Sequence, residues 1–133
     1  MVGWQRQMWI RDRPRIKRVL LKVSGEALMG DGDFGLDMAI LDRIAREVVA
    51  ASKGGIEVAI VVGGGNIFRG VSGVARGMNR ATADHMGMLA TVMNSVALAG
   101  AIDKAGGRGR ALSAIPMEAI CETYTRSRAR HRR

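Results

Sequence analysis

Hydrophobic positions change period along this chain, and each change marks an element. Arg18-Val19-Leu20-Leu21-Lys22-Val23 and Val58-Ala59-Ile60-Val61-Val62 are short apolar runs without helical spacing. Both predict strands, and the second, apolar at every position and rich in valine, predicts a strand buried on both faces of a parallel sheet. Between them Ile40, Leu41, Ile44, Val48 and Val49 recur at i, i+3/i+4, with Asp37 as a candidate N-cap and Gly54-Gly55 as a stop, which predicts an amphipathic helix. Strand, helix, strand in that order is a βαβ crossover, right-handed by the rule for parallel pairs. Met86, Leu89, Ala90, Met93, Val96, Ala97 and Ala101 repeat the helical spacing within 79–103 and predict a long helix in which Met86 and Met93 fill the core. Gly106-Gly107 ends it, and Arg110-Ala111-Leu112-Ser113-Ala114-Ile115 predicts a third strand stopped by Pro116. Glu26 to Gly35 is expected as a loop, and Val71 to Gly77, small and glycine-spaced, as a mobile segment able to close over a ligand.

Candidate chemistry gathers where the two strands end. The Val58 run feeds Gly63-Gly64-Gly65-Asn66-Ile67-Phe68-Arg69-Gly70. A glycine triplet there serves either as a plain tight turn or as a cradle whose backbone takes positive φ and brings its N–H groups to an anion. Arg69 would then grip phosphate oxygens with its planar fork. The pattern is neither a P-loop, since G-x-x-x-x-G-K-[ST] is absent, nor a Rossmann turn, since Phe68 stands where the last glycine belongs. Lys22, with Ser24-Gly25 just after it, also sits at a carboxyl strand end, where open α/β sheets bind ligands; a strand lysine snorkelling to water reads the same way. Asp84 opens the long helix, where either the helix dipole or a ligand accounts for it. Gly30-Asp31-Gly32-Asp33-Phe34-Gly35 lacks the spacing and terminal glutamate of a calcium loop. His85, Cys121 and His131 share no metal-ligand spacing, so no metal site is expected from protein ligands alone.

Composition sets limits. The length of 133 residues suits one domain, and 47% hydrophobic residues can build one core. The net charge of +9 suggests nucleic acid or an anionic membrane until its location is considered. Residues 1–18 and 126–133 each carry +5, and residues 19–125 carry −1. The globular part is near neutral, so the basicity says nothing about its pocket. A lone cysteine fits a reducing compartment, no run of 18 apolar residues is present, and the first fifteen residues are too polar for a secretory signal; a cytoplasmic protein without a membrane span is expected. Three regions follow: an extension without assigned structure over 1–17, the globular part over 18–125, and an arginine-rich tail over 126–133 that departs from the composition before it.

With these residues on the page, the chain resembles the bacterial uridylate (UMP) kinases of the amino acid kinase fold family. The resemblance rests on Leu20-Leu21-Lys22-Val23-Ser24-Gly25-Glu26-Ala27-Leu28, on the glycine loop through Gly70, and on Gly77-Met78-Asn79-Arg80 with Asp84-His85-Met86-Gly87-Met88-Leu89-Ala90-Thr91-Val92-Met93-Asn94. The last block is the specific one, because sister kinases of amino acids are expected to share only the lysine and glycine loops. The resemblance covers roughly residues 16–125. It implies an α/β three-layer sandwich with a mostly parallel sheet, truncated here. It also implies transfer of the ATP γ-phosphoryl to UMP with Mg2+, in pyrimidine nucleotide synthesis. Lys22 would neutralise charge on the transferring group. Val23, Ser24, Gly25, Gly65 and Arg69 would line the ATP phosphates, and Gly64 and Asp84 would bind UMP. The same resemblance links Gly30, Asp31, Gly32, Asp33, Phe34 and Gly35 to activation by GTP in a homohexamer contacted through the long helix.

The resemblance also carries a departure. Chains of that family continue for about as many residues again, with a second UMP loop, acidic catalytic residues and the ATP base pocket, none of which this sequence contains. The expectation is therefore an incomplete kinase that does not turn over alone. The alternative is a non-catalytic basic module that binds nucleic acid through its arginine ends on a kinase-like scaffold.

Overall fold

The computed structural model describes residues 17–113 and 122–123. Strand β1, Arg18–Val23, and strand β2, Glu57–Val62, pair in parallel, in register from Arg18 opposite Glu57 to Val23 opposite Val62. Helix α1, Met38–Lys53, connects them as the predicted crossover. Its limits are those its sequence encodes: Asp37 caps it by accepting from the Ala39 N–H at 2.9 Å, and Gly54 closes it, with Gly55 at φ +96° turning the chain into β2.

Helix α2, Gly70–Ala75, and helix α3, Arg80–Lys104, follow. Asn79 caps α3 by accepting from the N–H groups of Ala81 and Thr82. Helices α1 and α3 pack on each other and on β2, while α2 packs on α3. The core is one cluster of Leu28, Leu41, Ala45, Val62, Leu98 and Ala101. A second parallel pair, β3 (Leu112–Ser113) with β4 (Glu122–Thr123), is joined by an ion pair between Arg110 and Glu122.

Four expectations change. Residues 25–29 form a 3₁₀ turn capped by the Ser24 hydroxyl, which accepts from the Ala27 N–H, where a plain loop was expected. Residues 70–75 are helical where a mobile segment was expected. Among the described residues strand β2 is covered on one face only: Val58, Ile60 and Val62 turn toward the helices, while Val61, with Leu20 on β1, stays 55% and 60% exposed. Its run of apolar residues is that of a strand covered twice, and the described residues supply the sheet and one helical layer of the expected three.

The fourth change concerns α3. Its buried face is Ala83, Ala90, Asn94, Leu98 and Ala101, and Met86, Leu89, Met93 and Val96 lie outward, with Met93 54% exposed. The helix is apolar on nearly every side, so spacing alone did not say which stripe faces inward; the small residues do, because they let neighbouring backbone come close. By length and composition α3 would also suffice to cross a membrane, with an 18-residue window of mean hydropathy 1.4. Here it packs against α1, α2 and β2. Of the third predicted strand only Leu112–Ser113 is a strand, and residues 114–116, Cys121, the extension 1–16 and the tail 126–133 lie outside the described residues.

The two sheet faces predict different responses to substitution. Leu41→Ala, in the core, is expected to lose about 2–5 kcal/mol in urea unfolding. Leu20→Thr and Val61→Thr, on the open face, are expected to change stability by about 0.5 kcal/mol or less. Equal losses at Leu41 and Leu20 would show that the open face is packed in solution.

Candidate functional site

The site forms where β1 and β2 end side by side. Because the strands are parallel and in register, Val23 and Val62 finish together, and the next residues of both chains must share one small space. The Gly63 N–H donates to the Val23 carbonyl at 3.0 Å, prolonging the ladder by one bond. Beyond it the two loops touch through backbone. A Cβ on Gly25 would lie 2.5 Å from the Gly65 nitrogen and 2.9 Å from the Gly64 carbonyl carbon. A Cβ on Gly64 would lie 2.7 Å from the Ala90 Cβ and 3.0 Å from the Thr91 nitrogen of α3.

These distances correct the reason given for the glycine triplet. Gly63, Gly64 and Gly65 are not among the described glycines with positive φ, which are Gly30, Gly35, Gly55, Gly77 and Gly106. Close approach accounts for Gly64, whose backbone is pressed onto α3, and for Gly25, which is pressed onto the Gly64–Gly65 backbone; at Gly65 a Cβ would meet the Glu26 carboxylate, and at Gly63 it would make only an ordinary contact, 3.4 Å from the Gly25 nitrogen. The loop then closes on itself, with the N–H groups of Ile67 and Phe68 donating to the Gly64 carbonyl at 2.9 and 3.0 Å.

Arg69 folds back over this loop. Its Nε donates to the Gly65 carbonyl at 3.3 Å, and its Nη2 lies 3.1 Å from Glu26 Oε2. The Glu26 carboxylate sits above Gly65, where a Cβ on that glycine would meet Glu26 Oε1 at 2.4 Å. The carboxylate is thus held by the arginine and rests on the backbone of the glycine loop. Sequence reading placed Glu26 in a loop and gave it no role; its signal was a carboxylate directly after Ser24-Gly25, at the foot of the strand bearing Lys22.

The remaining expected residues are arranged around this centre. Lys22 is exposed on the uncovered sheet face, opposite Val61 in the register and one residue short of the strand end. Ser24 spends its hydroxyl on the 3₁₀ cap. Asp84 is exposed in the second turn of α3, six residues before Ala90 and so about 9 Å along the axis from the cradle contact. Residues 30–35 form a loop with Gly30 and Gly35 at φ +61° and +85°, and Phe34 is exposed. Between this loop and α2 opens a cleft of about 950 Å³, lined by Phe34, Gly65, Phe68, Arg69, Arg76 and Met78 among others. That is within the size range of small-molecule sites. Lys22 and Asp84 lie outside it. So the structure brings Val23, Gly25, Gly64, Gly65 and Arg69 together, adds Glu26, sets the 30–35 loop beside them, and leaves Lys22 and Asp84 at the margin.

Known proteins are similar to this chain in sequence and in fold. Residues 17–132 match the model of the amino acid kinase family. Uridylate kinases are similar in sequence: that of Xanthomonas axonopodis pv. citri is 54% identical over 113 residues, covering 85% of this chain and 47% of its own. That of Cereibacter sphaeroides is 58% identical over 113 residues, covering 85% and 46%. Among solved structures, UMP kinase from Bacillus anthracis superposes with a TM-score of 0.76 at 41% identity, covering 86% of this chain and 48% of that one. UMP kinase from Ureaplasma parvum gives 0.79 at 32% identity, covering 88% and 49%. The chain thus spans about half the length of the relatives it matches. With the parallel strand pair, the paired strand-end loops and a family match over nearly all of its length, the chain belongs to the amino acid kinase family.

Proposed function

We propose that this chain is the phosphate-cradle half of a uridylate kinase, an ATP-dependent nucleoside monophosphate kinase that moves the γ-phosphoryl of ATP to UMP and releases UDP and ADP. The observation that carries the reading is the contact between the two strand-end loops beneath Arg69. In this reading one backbone loop serves the donor and the other the acceptor, and the reading is supported by the similarity of the chain to relatives named as uridylate kinases. Their names favour this over the nucleic-acid-binding alternative.

In this reading bound substrate displaces the Glu26 carboxylate from Arg69: the guanidinium and Gly65 hold phosphate oxygens between donor and acceptor, and the backbone of Gly64 takes the phosphate of UMP. Val23, Ser24 and Gly25 face the ATP phosphates, and Lys22 reaches over the strand end to the transferring group. Asp84 approaches the ribose of UMP from α3. Phosphoryl transfer demands little covalent chemistry from the protein, so positioning and fixed charge do the catalysis. Magnesium belongs with ATP, where it neutralises phosphate charge and is held by phosphate oxygens and water. The described residues include no group of three carboxylate, histidine or cysteine side chains to cage it, and Glu26, the carboxylate on the cradle, is engaged by Arg69. A cytoplasmic enzyme of pyrimidine nucleotide synthesis follows from the substrates. GTP acts through residues 30–35, and the outward stripe Met86, Leu89, Met93 and Val96 supports assembly into a homohexamer through α3.

Calorimetric titration with UMP tests the reading. The unmodified chain is expected to bind UMP, and Arg69→Ala to weaken binding by about tenfold or more, as for loss of a charge-assisted pair. Unchanged affinity in Arg69→Ala would remove the arginine from the site. Glu26→Gln, which takes away the internal competitor, is expected to tighten binding about 1.4- to fivefold, the equivalent of the ~0.2–1 kcal/mol of an exposed ion pair; weaker binding would contradict the competition. Gly64→Ala is expected to lower stability by about 1–3 kcal/mol through its clash with Ala90, and to weaken UMP binding with it. In a coupled assay the chain alone is expected to release no ADP in response to UMP, since proximity catalysis needs both substrates held. Sustained UMP-dependent ADP release would show that this half suffices.

A further inference from the structure

Two of the largest fully buried side chains are polar: Asn66, 1% exposed, and Asn94, 0% exposed. Neither has a part in the reaction described above. Asn66 follows the glycine triplet directly, and Asn94 lies in the middle of α3, on its buried face among Ala90, Leu98 and Ala101.

Their carboxamides bond reciprocally. Asn94 Nδ2 donates to Asn66 Oδ1 at 2.7 Å, and Asn66 Nδ2 donates to Asn94 Oδ1 at 3.2 Å. Each Nδ2 has a second hydrogen, and both are used: Asn94 donates to the Gly63 carbonyl at 2.7 Å and Asn66 to the Gly35 carbonyl at 2.9 Å. All four donors of the pair are satisfied. In return the Gly35 N–H donates to the backbone carbonyl of Asn66 at 2.8 Å, and a Cβ on Gly25 would lie 2.6 Å from Asn66 Oδ1. Four segments therefore meet on these two side chains: the lysine loop, the glycine loop, the 30–35 loop and the long helix.

Apolar packing could fill the same volume but could not fix the angle at which the segments meet. A fully satisfied buried amide network does so, because each of its bonds has a direction and each broken bond leaves a polar group without water. Gly35 is bound to Asn66 through both its N–H and its carbonyl, so it cannot shift without moving Asn66, and Asn66 cannot shift without breaking its amide bonds to Asn94, whose other donor holds the Gly63 carbonyl.

We infer that Asn66 and Asn94 are positioning residues for the phosphate cradle, and that through them the 30–35 loop and the cradle move as one unit. This rests on the proposed function only in taking the cradle as the UMP site.

Hydrogen exchange by NMR on the whole 15N-labelled chain tests it. In the unmodified chain the side-chain amide protons of Asn66 and Asn94 are expected to exchange about tenfold or more slowly than those of exposed Asn79; equal rates overturn the pair. In Asn94→Leu, which keeps the volume, the amides of Gly35 and Phe68 are expected to exchange about tenfold faster while Leu41 and Ala45 in α1 stay within about twofold, and UMP affinity to fall about tenfold. Unchanged Gly35 and Phe68, or a uniform rise across the chain, overturns the inference, the latter showing a merely structural role. If Asn94→Leu does not fold, Asn94→Asp, which keeps the shape and the acceptor but loses both donors, is read in the same way. Failure of the unmodified chain to bind UMP would sink the functional reading alone, since the exchange rates decide the amide pair without ligand.

Discussion

Gly25 and the backbone of Gly64 and Gly65 come so close that a single added methyl carbon at Gly25 would lie 2.5 Å from the Gly65 nitrogen. Most of the molecule follows from that constraint. It requires two parallel strands that end at the same level, which the register from Arg18–Glu57 to Val23–Val62 provides. It requires a crossover helix of enough length to return the chain to the same end of the sheet, which α1 provides. It also requires a small residue on the helix behind the loop, because Gly64 rests against Ala90. Arg69 and Glu26 then find each other across the loop, since no side chain on Gly65 stands between them.

What the sequence disclosed and what it withheld divide along physical lines. Strand β1, α1 with its Asp37 cap, and α3 with its start at Asn79 were legible because local signals set them: short apolar runs, helical spacing, capping side chains and terminal glycines. The glycine loop at the end of β2 was legible as a place where the chain turns or comes close to another segment, because a glycine triplet after an apolar strand has few uses. Its reason was not, because close approach between segments 38 residues apart, Gly25 and Gly63, leaves no local mark different from that of a turn. The inward face of α3 was misread for a related cause: in a helix apolar on most sides, what decides orientation is the neighbour, and the neighbour here is a glycine loop that accepts alanine and not methionine. Glu26 and the Asn66–Asn94 pair were missed because polar residues declare their partners only in three dimensions, although an asparagine in the middle of an apolar helix was a signal that could have been pursued.

The exposed apolar surfaces fit the same account. Leu20 and Val61 on the sheet and Met86, Leu89, Met93 and Val96 on α3 are sequences written for contact, and the described part of the chain leaves them facing outward. The relatives have about twice the length that this chain matches, and a family member of that size has more surface with which to cover a sheet face. The cradle itself depends on neither surface. It is built from the ends of β1 and β2, one turn of α3 and the buried amides between them.

The most direct test of that claim is an amide chemical-shift map of the 15N-labelled chain titrated with UMP. The account predicts that the largest shifts fall together on Gly63, Gly64, Gly65 and Arg69, with Glu26 responding as its carboxylate is displaced from the arginine. Shifts confined to the arginine-rich ends of the chain, with the glycine loop unmoved at saturating UMP, would contradict it and show that the cradle holds no phosphate.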